Sequence, residues 1–366
     1  MDDDAWTNGC AAGVRGSEIA RLRYFRRTAR ERFDGRMKIR IADVRDLMTE
    51  TCRRAGVPAQ SVDLVVDHYL LGETQGKHSH GVAKFCFESQ FFGERQGPPV
   101  TVREHGALAV IDARREIGPV AADHAVRVAA ERARTWGAGI VGMINTQRYG
   151  VLSPWTEQLA RAGFLGIVMN TSRADSTVGG ARTPFLGVNP ISYAVPTGGE
   201  PLVVDMSTTE SPMGVLWETR RAGGTLPGGA FVDGAGAFTT DPHEAVSAMV
   251  FGGHKGFSLS LLIQIITGSL FGFPMGAEVD STWNTGYAFI AVDPSFGGAL
   301  DDFPKGNAKL VQAMEDVATR DGLPLRIPGH RSRAHRQAVL SSGELSIDES
   351  VYRRLEARAA GDFTHE

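Results

Sequence analysis

The sequence has few cysteines and no excess of charge of one sign. Only three cysteines, Cys10, Cys52 and Cys86, occur among 366 residues, and they show no paired spacing. This argues against a disulfide framework and is typical of a reducing compartment, so we expect a cytoplasmic protein. The net charge of −3 provides no basic field that would attract nucleic acid or an anionic membrane.

Long uninterrupted hydrophobic runs are also missing. The most apolar stretch, GFSLSLLIQIITGSLFGF, contains Ser, Gln, Thr and Gly, which predicts a buried core helix and not a membrane span. Residues 1–36 are rich in Arg but lack the apolar core of a secretory signal. We interpret them either as a dispensable extension or as an interaction or dimer arm, with the folded chain beginning near Met37.

The signatures of the common nucleotide-binding and hydrolase folds are absent. No G-x-G-x-x-G follows a predicted strand, and neither G-x-S-x-G nor a P-loop occurs, so a Rossmann fold has little support. What the sequence does contain is an alternation of helices and buried strands over a length that favours two domains. AGIVGMI, SPWTEQLARAG and FLGIVMN predict a strand–helix–strand crossover near residues 138–171, with Ser153 as the helix cap.

A histidine pair in GKHSHGVAKF is the first candidate for chemistry. His78 and His80 lie two residues apart, but no nearby Cys, Asp or Glu completes a metal-ligand set, so we expect no metal. Proton transfer by His80 and a purely structural histidine both stay open. Ser79 can fix the imidazole tautomer and Gly81 leaves room for substrate, which favours proton transfer.

Two further motifs carry charge at the end of a predicted element. Asp205 ends the strand of PLVVDMSTTE, where it could orient an imidazole, hold a ribose or cap the following turn. Lys255, within GGHKGF, stands at a predicted helix start, where backbone N–H groups and an ammonium favour an anion such as a phosphate. A solvated lysine is the alternative.

Taken in order, these motifs resemble the type-2 malate/L-lactate dehydrogenase family from about Met37 to Ala360. The S-H-G of that family corresponds to Ser79-His80-Gly81, its D-M-A-T to Asp205-Met206-Ser207-Thr208, and its G-x-K-G-[YF] to residues 253–257. GGARTPFLGVNP matches its G-G…G-T-N-P, with Val188 in place of Thr.

The resemblance implies an α/β fold that is not a Rossmann fold. Residues 37–115 and 325–366 would form a helical substrate and dimer domain, and residues 116–324 a central NAD(P)-binding domain. It further implies a homodimer that uses NAD or NADP to transfer hydride to or from C2 of a small 2-hydroxy or 2-oxo acid. A cyclic-imine (ketimine) reductase is the alternative within the family, and a cofactor-binding protein without redox turnover is a second.

The resemblance also assigns roles to residues. His80 would be the proton donor and acceptor, with Ser79 and Asp205 as its catalytic partners. Ser172, Asp205, Met206, Ser207 and Lys255 match positions that hold the cofactor. Arg173 and Arg182, in the loop that would meet a 2′-phosphate, tilt the expectation towards NADP.

Two departures concern the substrate carboxylate. Lys84 stands where the family has a carboxylate-binding Arg, and Arg148, in QRYG, stands where many members have a second histidine. A guanidinium cannot accept a proton, but it can bind a carboxylate through two parallel hydrogen bonds. We therefore expect carboxylate binding to have moved, at least partly, from position 84 to Arg148, which leaves His80 as the sole proton carrier.

Overall fold

The protein is described here by a computed structural model that covers residues 36–179, 181–297, 302–320, 323 and 325–364. The predicted Arg-rich extension lies outside the described residues except for Arg36, which opens the first strand. Ten α-helices occur in the described residues: α1 (Ile41–Arg54), α2 (Ala59–Thr74), α3 (Val82–Glu88), α4 (Gly118–Trp136), α5 (Ser153–Arg161), α6 (Met213–Ala222), α7 (His254–Thr267), α8 (Asp302–Glu315), α9 (His330–Ser342) and α10 (Glu349–Ala360). The strands of the same residues are β1 (Arg36–Arg40), β2 (Val100–His105), β3 (Leu108–Asp112), β4 (Ala138–Ile144), β5 (Leu165–Asn170), β6 (Ser176–Thr177), β7 (Ile191–Val195), β8 (Leu202–Met206), β9 (Phe231–Val232), β10 (Ser247–Met249), β11 (Tyr287–Val292) and β12 (Glu344–Asp348).

Seven strands form the main sheet in the order β2-β3-β4-β11-β5-β7-β8. Only β3 and β4 pair in parallel, and the long helix α4 connects them with a row of fully buried alanines facing the sheet. All other neighbours in this sheet are antiparallel. The fold is therefore α/β with a mixed, mostly antiparallel sheet. It is not the parallel, doubly wound sheet of a Rossmann fold.

The predicted crossover over residues 138–171 is only partly right. The helix α5 does lie between β4 and β5, but these two strands are not neighbours, because β11 pairs antiparallel with both of them. A strand that arrives from much later in the chain cannot be recognised from the local alternation of apolar residues.

A second core joins the two ends of the described chain. β1 pairs antiparallel with β12, from Arg36 opposite Asp348 to Arg40 opposite Glu344. Helices α1, α2, α3 and α10 pack their buried side chains, including Val44, Tyr69 and Leu355, into one apolar cluster beside this pair. The domain boundaries proposed from the sequence remain a prediction.

The apolar helix α7 is only partly a core helix. Ile263, Gln264 and Thr267 are buried, but Leu261, Leu262 and Ile265 expose 42%, 52% and 44% of their surface. The expectation of a wholly buried helix is thus wrong for one face. In the part of the chain that the structure describes, no helix is both long enough and apolar enough to span a membrane.

Candidate active site

The turn that carries His80 is held tightly between two elements. His78–His80 form a short 3-10 turn between α2 and α3. A Cβ added at Gly72 would lie 2.6 Å from the His80 carbonyl oxygen, and one added at Gly150 would lie 2.5 Å from the same atom. Gly72 lies inside α2, and only glycine admits this close approach of the turn.

Glu73 fixes the turn at both of its ends. Its Oε1 accepts a hydrogen bond from His78 Nδ1 at 2.5 Å, and its Oε2 accepts one from the backbone N–H of Val82 at 3.0 Å. The side chain is almost completely buried. A Cβ at Gly81 would collide with this carboxylate, so the space beside Gly81 admits Glu73 and not the substrate.

Ser79 is the hydrogen-bonding partner of His80. Its Oγ lies 2.9 Å from His80 Nδ1, which is the arrangement needed to fix the imidazole tautomer. Burial, followed by the charges of Lys84 and Lys77, lowers the pKa of His80 to about 4, although Asp205 opposes this. The imidazole is therefore neutral at pH 7 and available to accept a proton.

Asp205 lies at the end of β8 beside the histidine turn. In the described residues its Oδ2 accepts hydrogen bonds from Lys77 Nζ at 2.6 Å and from the Ser153 N–H at 3.3 Å, and not from His80. Burial raises the pKa of Asp205, but the Lys77 charge and hydrogen bonds outweigh it and lower the pKa below its ordinary value. Asp205 acts on His80 through its charge, and the predicted cap Ser153 serves instead to hold Asp205.

Lys84 is already paired within the protein. Its Nζ lies 2.6 Å from Oε1 of Glu88, one helical turn along α3, and Glu88 has no exposed surface. Burial lowers the pKa of Lys84, Glu88 opposes this, and the nearby Arg148 charge lowers it further. Lys84 therefore lies beside Arg148, but its charge is largely neutralised before any substrate binds.

Arg148 has no acidic partner among the described residues. Its Nε and its backbone N–H both lie 3.4 Å from the Thr282 hydroxyl oxygen. The two terminal nitrogens of the guanidinium are thus available for a carboxylate. The geometry agrees with the expected transfer of carboxylate binding from Lys84 to Arg148, which stays a proposal.

A second buried histidine lies beneath the site. His68 is 4% exposed, stacks on Trp155 at 5.2 Å and meets Tyr149 and Tyr69 edge to face. Neither ring nitrogen has a hydrogen-bond partner among the described residues. Burial, followed by the charge of His80, lowers its pKa to about 3.

Sequence reasoning missed Glu73, Lys77, Glu88, His68 and Thr282. Only Glu88 had a clear local signal, because it follows Lys84 by four residues, the spacing of a side-chain ion pair on a helix. The other four act through contacts between distant segments or through a turn whose shape the sequence did not reveal.

Hydrogen bonds connect the loops that adjoin the expected cofactor residues; Asp205 and Met206 end β8, and Lys255 lies in the first turn of α7. The Ser172 hydroxyl accepts the Val188 N–H at 3.1 Å, the Val188 carbonyl accepts from Thr208, and the Thr208 carbonyl accepts from Phe251, which precedes α7. Ser172 also donates to the Arg173 carbonyl, so its hydroxyl is occupied within the protein.

The beginning of α7 is the part of these loops that fits a phosphate best. Lys255 is exposed in the first turn, after Gly252 and Gly253, whose φ angles are +58° and +60°. Positions for a Cβ on both glycines face open space. Met206 is also exposed, at 39%, and the Ser207 hydroxyl lies 2.9 Å from that of Thr209. Lys255 and its glycines thus suit the anionic part of a dinucleotide, whereas the Ser172 hydroxyl does not.

A metal ion has no comparable site. Among the residues that the structure describes, no three or more His, Cys, Asp and Glu side chains are grouped to hold one.

Comparison with known proteins identifies the relatives of this chain. A profile of the malate/L-lactate dehydrogenase family matches residues 39–356. The L-sulfolactate dehydrogenase of Methanothermobacter thermautotrophicus is 32% identical over 324 residues, which cover 84% of this chain and 92% of that protein. Ureidoglycolate dehydrogenase (NAD(+)) of Escherichia coli is 26% identical over 343 residues, covering 90% and 98%.

A solved structure has the same architecture. The crystal structure of delta1-piperideine-2-carboxylate reductase from Pseudomonas syringae pvar. tomato superposes with a TM-score of 0.76 at 25% identity, covering 88% of this chain and 99% of that chain. The fold, the order of the motifs and the family match over most of the length agree. The chain belongs to the malate/L-lactate dehydrogenase family and is an oxidoreductase.

Proposed function

We propose that the protein is an NAD(P)-dependent oxidoreductase that transfers hydride between a nicotinamide and C2 of a small 2-hydroxy or 2-oxo acid. The observation that carries this proposal is the pairing of two groups. A neutral His80 is oriented by Ser79, and the charge of Lys84 acts on it. The charge of Arg148 acts on the same Lys84, and Arg148 has no acidic partner among the described residues. One group moves a proton and the other binds a carboxylate.

The roles of the protein's own residues follow from this arrangement. In oxidation His80 takes the proton of the 2-hydroxyl group, and in reduction it returns a proton to the oxygen of the 2-oxo group. Arg148 binds the carboxylate and so fixes C2 relative to the imidazole. Asp205 stabilises the protonated imidazole through its charge. The nicotinamide, when bound, accepts or supplies the hydride.

Lys255 is the residue that we assign to the cofactor phosphates. An exposed ammonium and open glycines at a helix N-terminus favour an anion. Arg173 is paired with Asp175 at 2.8 Å, whereas Arg182 is exposed without a partner in the described part of the chain. Arg182 is therefore the better candidate of the two for a 2′-phosphate, which favours NADP.

We also propose that the protein acts as a homodimer through the exposed face of α7. This face is an apolar strip exposed to solvent, formed by Leu261, Leu262 and Ile265. Such strips are typical of protein interfaces. Light scattering of the purified protein measures the mass directly, and Leu262→Lys should shift it to that of a monomer if this face is the interface.

A substrate panel tests the function. The purified protein is mixed with NADH or NADPH and with 2-oxo acids, and oxidation of the cofactor is followed by absorbance. We expect turnover with at least one 2-oxo acid, and a loss of about 10²- to 10⁴-fold in kcat for His80→Ala. His105→Ala, at an exposed histidine of β2, is the matched control.

The same panel separates the alternatives. A cyclic imine is included, because delta1-piperideine-2-carboxylate reductase shares the fold and acts, by its name, on such a carboxylate. Turnover of the imine alone would favour the reductase. Tight cofactor binding without any turnover would instead indicate a binding protein that has lost redox chemistry.

A further inference from the structure

The charges of Lys77 and Lys84 act on His80, and that of Arg148 acts on Lys84. Of these three cations, only Arg148 has no acidic partner among the described residues. Lys77 Nζ lies 2.6 Å from Asp205 Oδ2, and Lys84 Nζ lies 2.6 Å from Glu88 Oε1. The only hydrogen bonds of Arg148 among the described residues go to the Thr282 hydroxyl. Of the three cations, Arg148 is therefore the one whose charge no described carboxylate compensates.

Breaking the ion pair between Lys84 and Glu88 would cost free energy. Glu88 has no exposed surface, so a substrate that drew Lys84 away would leave a buried carboxylate without a counter-charge. An uncompensated buried charge is strongly unfavourable. Lys77 is constrained in the same way, because Asp205 keeps only 13% of its side chain exposed. Neither lysine is therefore free to bind a second acidic group of a substrate.

The surface next to these cations is aromatic. Lys84 Nζ lies 5.5 Å from the centroid of the Phe87 ring, Phe87 contacts Phe91, and Phe91 contacts Trp283. Trp283 follows Thr282, the residue that holds Arg148. Arg115 lies 5.0 Å over the Trp283 ring and is itself paired with Glu94 at 3.3 Å. Phe87 and the remaining surface of Trp283 offer contacts to an uncharged, apolar group.

We propose, given the function proposed above, that the substrate is a monoanion: an acid with one carboxylate, bound by Arg148, and an uncharged, apolar side chain that lies against Phe87 and Trp283. The relative named L-sulfolactate dehydrogenase acts, by its name, on a molecule with two acidic groups. Among the described residues of this cluster, Lys77, Lys84 and Arg115 are each already paired with a carboxylate, so none of them is left for the second acidic group of such a dianion.

The wild-type enzyme tests the proposal with two sets of substrates. The monoanions are 2-oxobutanoate and phenylpyruvate, and the dianions are oxaloacetate and 3-sulfopyruvate. We expect kcat/KM to be at least tenfold higher for the better monoanion. Equal or better use of a dianion overturns the proposal while leaving the proposed function intact. If no acid is turned over, the proposed function fails and the proposal about its substrate fails with it.

A binding measurement gives a second readout that needs no turnover. Oxamate carries one negative charge and tartronate carries two, and both are small analogues of 2-oxo and 2-hydroxy acids. Calorimetry in the presence of NADPH should show at least tenfold tighter binding of oxamate. Tighter binding of tartronate would contradict the proposal.

A substitution tests the reason for the preference. Glu88→Gln keeps the shape of the side chain but removes the charge that neutralises Lys84. The ratio of kcat/KM for oxaloacetate to that for 2-oxobutanoate should rise at least tenfold. Glu104→Gln, which removes the partner of Arg132 at the surface, is the matched control and should leave the ratio unchanged. An unchanged ratio in a folded Glu88→Gln protein would refute the role of the Lys84–Glu88 pair. If that variant does not fold, the comparison of monoanions with dianions in the wild-type enzyme still tests the proposal.

Discussion

The carboxylate of Glu73 is bonded to His78 at 2.5 Å while its other oxygen accepts the Val82 N–H, so one buried side chain holds both ends of the turn that carries His80. These two hydrogen bonds make Glu73 a positioning residue for the imidazole. The turn has no other side chain in the described residues that bonds to both of its ends.

We expect Glu73→Gln to lower kcat by about tenfold or more, with little change in KM or in cofactor affinity, because a misplaced catalytic group affects the transition state most. Steady-state kinetics and cofactor titration check this. Glu218→Gln removes a carboxylate whose charge also acts on His78 but which has no hydrogen bond to the turn among the described residues. Equal losses in both variants would mean that local charge, and not position, is what Glu73 supplies.

Arg148→Ala should mainly weaken substrate binding. The loss of a charged hydrogen bond is worth about 1.5–3 kcal/mol, which corresponds to a rise in KM of roughly 10- to 150-fold. Arg148→Lys should recover only part of this, because an ammonium cannot form two parallel hydrogen bonds. The pH profile should keep its shape. Arg103→Ala, at an exposed residue of β2, is the control, and a KM unchanged by Arg148→Ala would remove this residue from the site.

The fall of kcat/KM at low pH should depend on the charges around His80. Oxidation of a 2-hydroxy acid needs the neutral imidazole, so kcat/KM should stay level near pH 7 and fall as the pH approaches 4. Lys77→Met removes a nearby positive charge and releases Asp205, and both changes raise the pKa of His80. The decline should therefore begin at higher pH in Lys77→Met but not in Lys38→Met, at an exposed lysine of β1. A profile unmoved by Lys77→Met would show that this ammonium does not act on the imidazole.

Lys255→Ala should raise the dissociation constant of NAD(P)H with little effect on the free energy of unfolding. The side chain is exposed at the start of α7, so its removal disturbs no packing. Fluorescence titration of the cofactor measures the first quantity and urea unfolding the second. An unchanged affinity would show that the glycine-rich beginning of α7 does not bind the phosphates.

The sequence predicted the elements of the site better than their connections. Ser79, His80 and Asp205 were found because short motifs mark them, and the structure brings all three into one cluster. Of the roles left open for Asp205, direct hydrogen bonding to the imidazole does not occur among the described residues. Lys77, which lies in the same turn as His80, binds Asp205 instead, and no local pattern shows that two segments so far apart meet.

The fold was predictable to a similar degree. Strands β4 and β5 and the helix between them follow from local periodicity, but the insertion of β11 between the strands depends on a distant segment. The exposed face of α7 was missed for a different reason. Its composition is apolar on all sides, so periodicity could not show which side the rest of the chain leaves uncovered.

His68 should make the folded protein sensitive to acid. Its pKa is about 3 in the folded protein against about 6.5 in an unfolded chain. Above pH 6.5 the imidazole is neutral in both states and contributes nothing to pH dependence. As the pH falls from 6.5 towards 3, His68 is protonated in the unfolded chain but not in the folded protein. The free energy of unfolding therefore decreases.

We expect His68→Phe to reduce this acid sensitivity, because a phenyl ring keeps the stacking on Trp155 and cannot bind a proton. Between pH 6.5 and pH 5, one proton corresponds to about 2 kcal/mol. Urea unfolding at pH 7.5 and pH 5 should therefore show a smaller loss of stability in His68→Phe than in the wild type. His105→Phe, on exposed β2, should behave as the wild type. The same loss in all three proteins would mean that His68 is protonated in the folded state, and that a partner for its ring nitrogens exists when the protein is in solution.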